Sequence, residues 1–128
     1  MLFAIVAVFF IACGNGDKLV KFEYEKGDNK ELFEKASNLV KEKYPDYNLY
    51  SFKSLKTMKS IENAKELYDR WQQIDAMGSI FGSKSSSYIK NILLEKNGEY
   101  KLIRISCYDA RHTSLKRIDC EIDELKMK

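Results

Sequence analysis

Residues 88–95, YIKNILLE, and 99–108, EYKLIRISCY, are two apolar, β-branched runs separated by Lys96-Asn97-Gly98, and this stretch decides the fold. Asn-Gly between two such runs is the strongest short-range hairpin signal, because both residues tolerate the positive φ that a tight turn demands. A third run, residues 115–124, follows a polar turn at about 109–114, so the C-terminal third predicts a three-stranded antiparallel meander. On the second of these strands Ile103, Ile105 and Cys107 share a face. On the third Ile118, Cys120 and Ile122 do, while Arg117, Asp119, Glu121 and Asp123 point the other way. One face is expected to meet helices and the other water.

Upstream of the meander lie two helical patterns. Asp28 is placed as an N-cap, with Glu31 three residues later as in a capping box. Leu32, Phe33, Ala36, Leu39, Val40 and Tyr44 then recur at three- and four-residue spacing, and Pro45 ends the helix. Ser60 is placed as the cap of a longer helix running from Ile61 to about Met77, with Ala64, Leu67, Tyr68, Trp71 and Ile74 along its apolar face and Gly78 as its C-cap. Residues 18–25 alternate, with Val20, Phe22 and Tyr24 on one side, which fits a half-buried strand or an extended tether. The expected fold is therefore α+β: strand, helix, strand, helix, then the meander, with both helices packed on one face of a mainly antiparallel sheet.

Between the helices, Tyr44, Tyr47, Tyr50 and Phe52 crowd into nine residues that lead into a second strand through about Leu55. Aromatic residues on a strand cover packed helices. They also anchor protein interfaces, so Tyr47, Tyr50 and Phe52 are candidate partner contacts. Residues 79–87 have the Gly/Ser content of a loop, in which Ile80 and Phe81 either tuck into the core or form a second candidate contact.

The chain opens on a different kind of segment. Residues 2–12, LFAIVAVFFIA, form an unbroken apolar run of eleven, followed by Cys13 and the polar spacer Gly14-Asn15-Gly16-Asp17. Crossing a bilayer takes roughly 20 helical residues, so the run has the length of a signal-peptide core, not of a membrane span. The alternatives are a buried terminal element with Cys13 as an ordinary thiol, or a secretory signal cleaved without lipidation. Phe10-Ile11-Ala12-Cys13 resembles the lipobox of bacterial lipoproteins, with Phe10 standing where leucine is commonest. The resemblance implies removal of residues 1–12 as a signal peptide and alkylation of Cys13 by a diacylglyceryl group. Residues 13–17 would be the lipidated cysteine and its tether, and 18–128 a single domain in the bacterial cell envelope, facing the periplasm or exterior.

In an exported chain the two remaining cysteines, Cys107 and Cys120, are most simply a disulfide. Register decides this. A turn centred on Thr113-Ser114 sets them opposite each other, whereas a loop over 109–114 would set Cys107 against Lys116, so that a bridge would need a bulge or a shift; the alternative is two buried reduced cysteines.

Charge and motifs narrow the function. The chain has 22 Lys plus Arg against 19 Asp plus Glu, interleaved as on a solvated surface, with no basic block of the kind that binds nucleic acid. There is one histidine, so no zinc site of ordinary ligand spacing is expected, and no cofactor. Asp109, His112 and Ser114 sit in one turn, where such residues bond locally to the backbone and do not converge as a triad. No phosphate loop, nucleophile elbow or Cys-x-x-Cys pair occurs. The sequence thus points to a non-catalytic lipoprotein that binds an envelope protein as an assembly accessory, inhibitor, immunity or exclusion factor, or surface-interaction protein. The alternative is a small-ligand or lipid carrier at the membrane surface, gated by Met77, Ile80 and Phe81.

Overall fold

The computed structural model describes residues 17–77 and 86–127. Its elements run α1 (Lys30–Lys43), β1 (Asn48–Ser51), a 3₁₀ helix (Phe52–Thr57), α2 (Ala64–Met77), β2 (Ser87–Lys96), β3 (Glu99–Asp109) and β4 (Ile118–Leu125). The strands form one antiparallel sheet in the order β1-β2-β3-β4. The class is α+β, as expected.

The hairpin forms where Asn-Gly placed it: Lys96 pairs with Glu99, and Asn97 and Gly98 take φ of 53° and 82°. A Cβ at Gly98 would meet nothing within 4 Å, so only its backbone conformation resists substitution. Replacing Gly98 by Ala should lower stability by about 1–2 kcal/mol, the cost of a left-handed L-residue. A urea midpoint that does not move would contradict this; the slope of the transition should be unchanged.

Helix α1 starts one residue later than the capping pattern suggested. Asn29 is the N-cap, its side chain accepting from the Leu32 N–H at 3.1 Å. Asp28 is drawn instead into the preceding turn, accepting from the Glu25 N–H at 3.2 Å, with Gly27 at a φ of 100°. The helix ends before Pro45, the Tyr44 N–H reaching back to the Val40 carbonyl at 2.8 Å.

Strand β1 is shorter than expected. The nine residues after Ser51 read Phe-Lys-Ser, Leu-Lys-Thr, Met-Lys-Ser, a three-residue period that suits a 3₁₀ helix of three residues per turn. Phe52, Leu55 and Met58 are buried along one row, and Lys53, Lys56 and Lys59 are exposed along the next. Helix α2 begins at Ala64, not Ile61. Asn63 has a φ of 62°, which no helix interior accommodates, and the Ser60 N–H and hydroxyl are taken by the Asp17 carboxylate from outside. Residues 18–25 form no strand of the sheet. They run extended along the outer edge of β1 through one bridge, Lys21 to Tyr50, with the Phe22 N–H donating to Leu49 at 3.1 Å and the Ser51 N–H to Val20. That covers an edge which would otherwise be free to pair with another chain.

The two helices lie on opposite faces of the sheet, which corrects the expectation of one shared face. Residues Ile92, Leu93 and Leu94 are consecutive on β2, and all three are fully buried. Ile92 and Leu94, with Ile103, Ile105 and Cys107, pack against Leu32, Ala36 and Val40 of α1. Leu93, with Leu102, packs against Phe52 and Leu55 of the 3₁₀ helix and Ala64 and Leu67 of α2. Each such side chain contributes about 1.5–3 kcal/mol on full burial, and two half-cores share the central strands.

From the C-cap of α1 a hydrogen bond crosses to the edge strand β4. The Tyr44 hydroxyl donates to Glu124 Oε2 at 2.8 Å. Burial first, then the Glu124 carboxylate, pushes the Tyr44 phenol up to about 12. Its folded value lies above its unfolded value near 10, so this stabilisation is fully present below pH 10 and is lost as pH rises towards about 12. Alkaline unfolding monitored alongside phenolate absorbance should show that loss, and Tyr44→Phe should remove it. An unchanged alkaline profile in the variant would refute the assignment.

Candidate functional site

Three places gather polar side chains. The first is a cleft of about 90 Å³ between the extended N-terminal segment and the sheet, lined by Lys21, Phe22, Glu25, Ser51, Lys53 and Lys90 among others. Lys90 lies on β2 facing α1, where an apolar residue would continue the pattern, and its residue is only 8% exposed. Its ammonium sits 2.9 Å from Glu25 Oε1 and 3.9 Å from Asp28 Oδ1, and Lys53 reaches the other Glu25 oxygen at 3.3 Å. Burial pushes the Asp28 carboxyl up against the pull of Lys90. Burial acts the same way on Glu25, but the hydrogen bonds and charges of Lys90 and Lys53 outweigh it and hold Glu25 below its usual range. The charges here answer one another, so the cluster clamps residues 25–28 to the sheet and offers no isolated nucleophile.

The second place is the half of the sheet's second face that α2 leaves open. Its border is a stacked trio: the Arg104 guanidinium lies 5.2 Å from the centre of the Trp71 ring, Arg104 Nε donates to Asn91 Oδ1 at 3.2 Å, and Asn91 Nδ2 donates to the Trp71 carbonyl at 2.9 Å. Among the described residues, Trp71 Nε1 and Arg104 Nη2 are buried donors without an acceptor. Beyond the trio a shallow depression runs over Ser87, Ile89, Ser106, Tyr108, Asp119 and Glu121. Tyr108 is 44% exposed there, beside the outward carboxylates of β4. The arrangement presents apolar area, a phenol and acidic groups on a rigid sheet, which suits a partner surface better than a reaction.

The third is the β3–β4 loop. Asp109 is held by Arg111, which also grips Glu31 of α1 at 2.8 Å. The Arg111 side chain, then its backbone N–H, keep the Asp109 carboxyl down at about 2. His112 and Ser114 are exposed to solvent. Among the described residues no hydrogen bond links Asp109, His112 and Ser114 to one another.

The sequence-level candidates separate in space. Tyr47 lies on the α1 side, edge-on to Tyr44 at 5.5 Å with the Lys96 ammonium 5.5 Å from its ring centre. Tyr50 is half-buried on the opposite face, because successive strand residues alternate. Phe52 is 1% exposed and stacks on Tyr68 at 5.0 Å, so it belongs to the core and not to a partner surface. Ile80, Phe81 and Gly78 lie outside the described residues, as does Cys13.

Cys107 and Cys120 stand directly opposite each other and are joined as a disulfide. The register is that of a turn centred on Thr113-Ser114, yet the loop is wide. Strand β4 begins only at Ile118, and Ala110 N–H to Arg117 carbonyl closes the loop at 2.9 Å. Local bonds from Thr113 and Lys116, the latter at a φ of 55°, let the longer loop keep the register of the short one.

Among the described residues no group of three or more His, Cys, Asp or Glu side chains is placed to hold a metal ion, and no helix is long and apolar enough to cross a membrane. Fold and site together define a small disulfide-bonded α+β domain with one half-face that no other described residue covers. No protein-family model, curated protein or solved structure matches the chain.

Proposed function

We propose that this chain is a lipid-anchored protein of the bacterial envelope that acts by binding another protein, not by catalysis. The observation that carries the compartment is the Cys107–Cys120 disulfide, since such bonds persist in oxidising, exported environments. It agrees with Cys13 as the acylated residue of a lipobox-like sequence. The binding surface is the half-face around Ile89, Ser106, Tyr108 and Glu121, with the loop residues Ile80 and Phe81 as further candidate contacts. Tight filling between α1 and the sheet, where Leu32, Ala36, Val40, Ile92, Ile103 and Ile105 are all fully buried, argues against a ligand cavity on that face.

The test begins with the mass of the protein purified from its own membranes, which should show a chain starting at Cys13 with a diacylglyceryl group. A photo-crosslinking side chain at position 108 should then trap one envelope protein in intact cells, and the same group at Lys35 on the far surface of α1 should not. An unmodified chain still carrying residues 1–12 would end the anchor reading, and equal labelling from both positions would end the proposed surface.

A further inference from the structure

We infer that the surface around the row Lys53, Lys56 and Lys59 lies against the anionic headgroups of the membrane that holds the anchor. The inference rests on the lipid attachment proposed at Cys13. Asp17, four residues on, is already seated on the domain: its Oδ1 accepts from the Lys59 N–H at 2.6 Å and the Ser60 N–H at 3.3 Å, and its Oδ2 bonds the Ser60 hydroxyl. Those hydrogen bonds, led by the Lys59 N–H, hold the Asp17 carboxyl below its usual range, so it stays an acceptor at neutral pH. Four residues reach at most about 14 Å fully extended, so an acylated Cys13 would bring the Lys59–Ser60 corner to the bilayer surface.

What meets the surface there has the chemistry for it. From Asn48 to Ile61 the chain holds three lysines and no acidic residue, and Lys18 follows Asp17 directly. Among the described residues Lys18, Lys56 and Lys59 are in no salt bridge; Lys53 is paired with Glu25. Beside them Leu19 and Val20 are 37% and 50% exposed, fixed in place by the Val20 N–H donating to Ser54 Oγ at 2.9 Å. Exposed apolar side chains set among lysines suit the headgroup boundary, where each lysine adds to binding of anionic lipid. Glu23 and Glu62 flank the patch, and neither is in a salt bridge among the described residues. The consequence is orientation: the domain would stand on this corner, with the lysines of α1 directed elsewhere.

The test uses the full protein purified from its own membranes, placed in vesicles of phosphatidylcholine alone or of equal parts phosphatidylcholine and phosphatidylglycerol, with lysine acylation rates read by mass spectrometry. Lys18, Lys56 and Lys59 should be labelled at least about fivefold more slowly, relative to Lys30, Lys35 and Lys41, in the anionic vesicles only. The protection should vanish at about 1 M salt, where the Debye length is about 3 Å. Lys56→Gln should weaken docking about fivefold, read as faster labelling of Lys18 and Lys59, while Lys35→Gln, with the same loss of charge, should not. Equal relative rates in both vesicles would overturn the inference, and so would protection by inorganic phosphate without vesicles. If Cys13 carries no lipid, the anchor reading falls by that mass alone. The same labelling ratio on the unanchored chain mixed with anionic vesicles then decides the docking surface, and no protection overturns it.

Discussion

Replacing Cys107 and Cys120 together by serine should lower the stability of the domain by about 3 kcal/mol, the chain-entropy value for closing a loop of about 14 residues. For a domain near 100 residues that corresponds to a fall in melting temperature of about 10–20 °C. The bond ties β3 to the edge strand β4 across the wide 110–117 loop, where the alternative is a long flexible return. Reduction of the unaltered protein should reproduce most of the effect. A further cost comes from Cys107, which is 1% exposed and would bury a hydroxyl as serine, so alanine at that position is the cleaner variant. Melting with and without reductant, compared with the double alanine variant, separates the two contributions. If neither treatment moved the transition, the bond would not bear on folding and the compartment argument would lose its main support.

Phe52→Ala should be the most damaging single change, at about 3–5 kcal/mol. Phe52 heads the apolar row of the 3₁₀ helix, stacks on Tyr68 and fills the second half-core with Leu55, Leu67, Leu93 and Leu102. Its removal leaves a cavity that α2 cannot close without dragging the 3₁₀ helix with it. The variant discriminates between the two roles open to this residue from its sequence alone. As a core residue, its loss should move the urea midpoint strongly. As a partner contact, it should leave the midpoint within about 0.5 kcal/mol and weaken only binding. Tyr108→Ala gives the opposite expectation, because a ring 44% exposed on the open half-face is available to a partner.

Legibility in the sequence followed the range of the interactions involved. The Asn97-Gly98 hairpin, the strand pairing of β2 with β3, the apolar stripe of α1 and its end before Pro45 all arise from contacts within a few residues, and each was readable. Helix starts were misplaced by one residue at α1 and three at α2, for a shared reason. The residues named as caps, Asp28 and Ser60, are recruited by other partners, Glu25 in a preceding turn and Asp17 from far along the chain. The 3₁₀ helix was legible in principle, since Phe-Lys-Ser, Leu-Lys-Thr and Met-Lys-Ser repeat with period three. It was masked because the aromatic run before it suggested a strand that continued. The partner-contact set Tyr47, Tyr50 and Phe52 dissolved because alternation on a strand and the turn after it send neighbouring rings to different layers.

Sequence by itself determined the α+β class, the meander and the conditional pairing of Cys107 with Cys120, because periodicity and turn chemistry are local properties of the chain. Tertiary structure alone decided that α1 and α2 occupy opposite faces, since an apolar stripe says that a helix is buried and not which side of a sheet receives it. It alone decided the register that joins Cys107 to Cys120, because the hydrogen bonds inside the 110–117 loop set where β4 begins. The seat of Asp17 on the Lys59–Ser60 corner is of the same kind, made by residues more than forty positions apart that only the folded chain brings into contact.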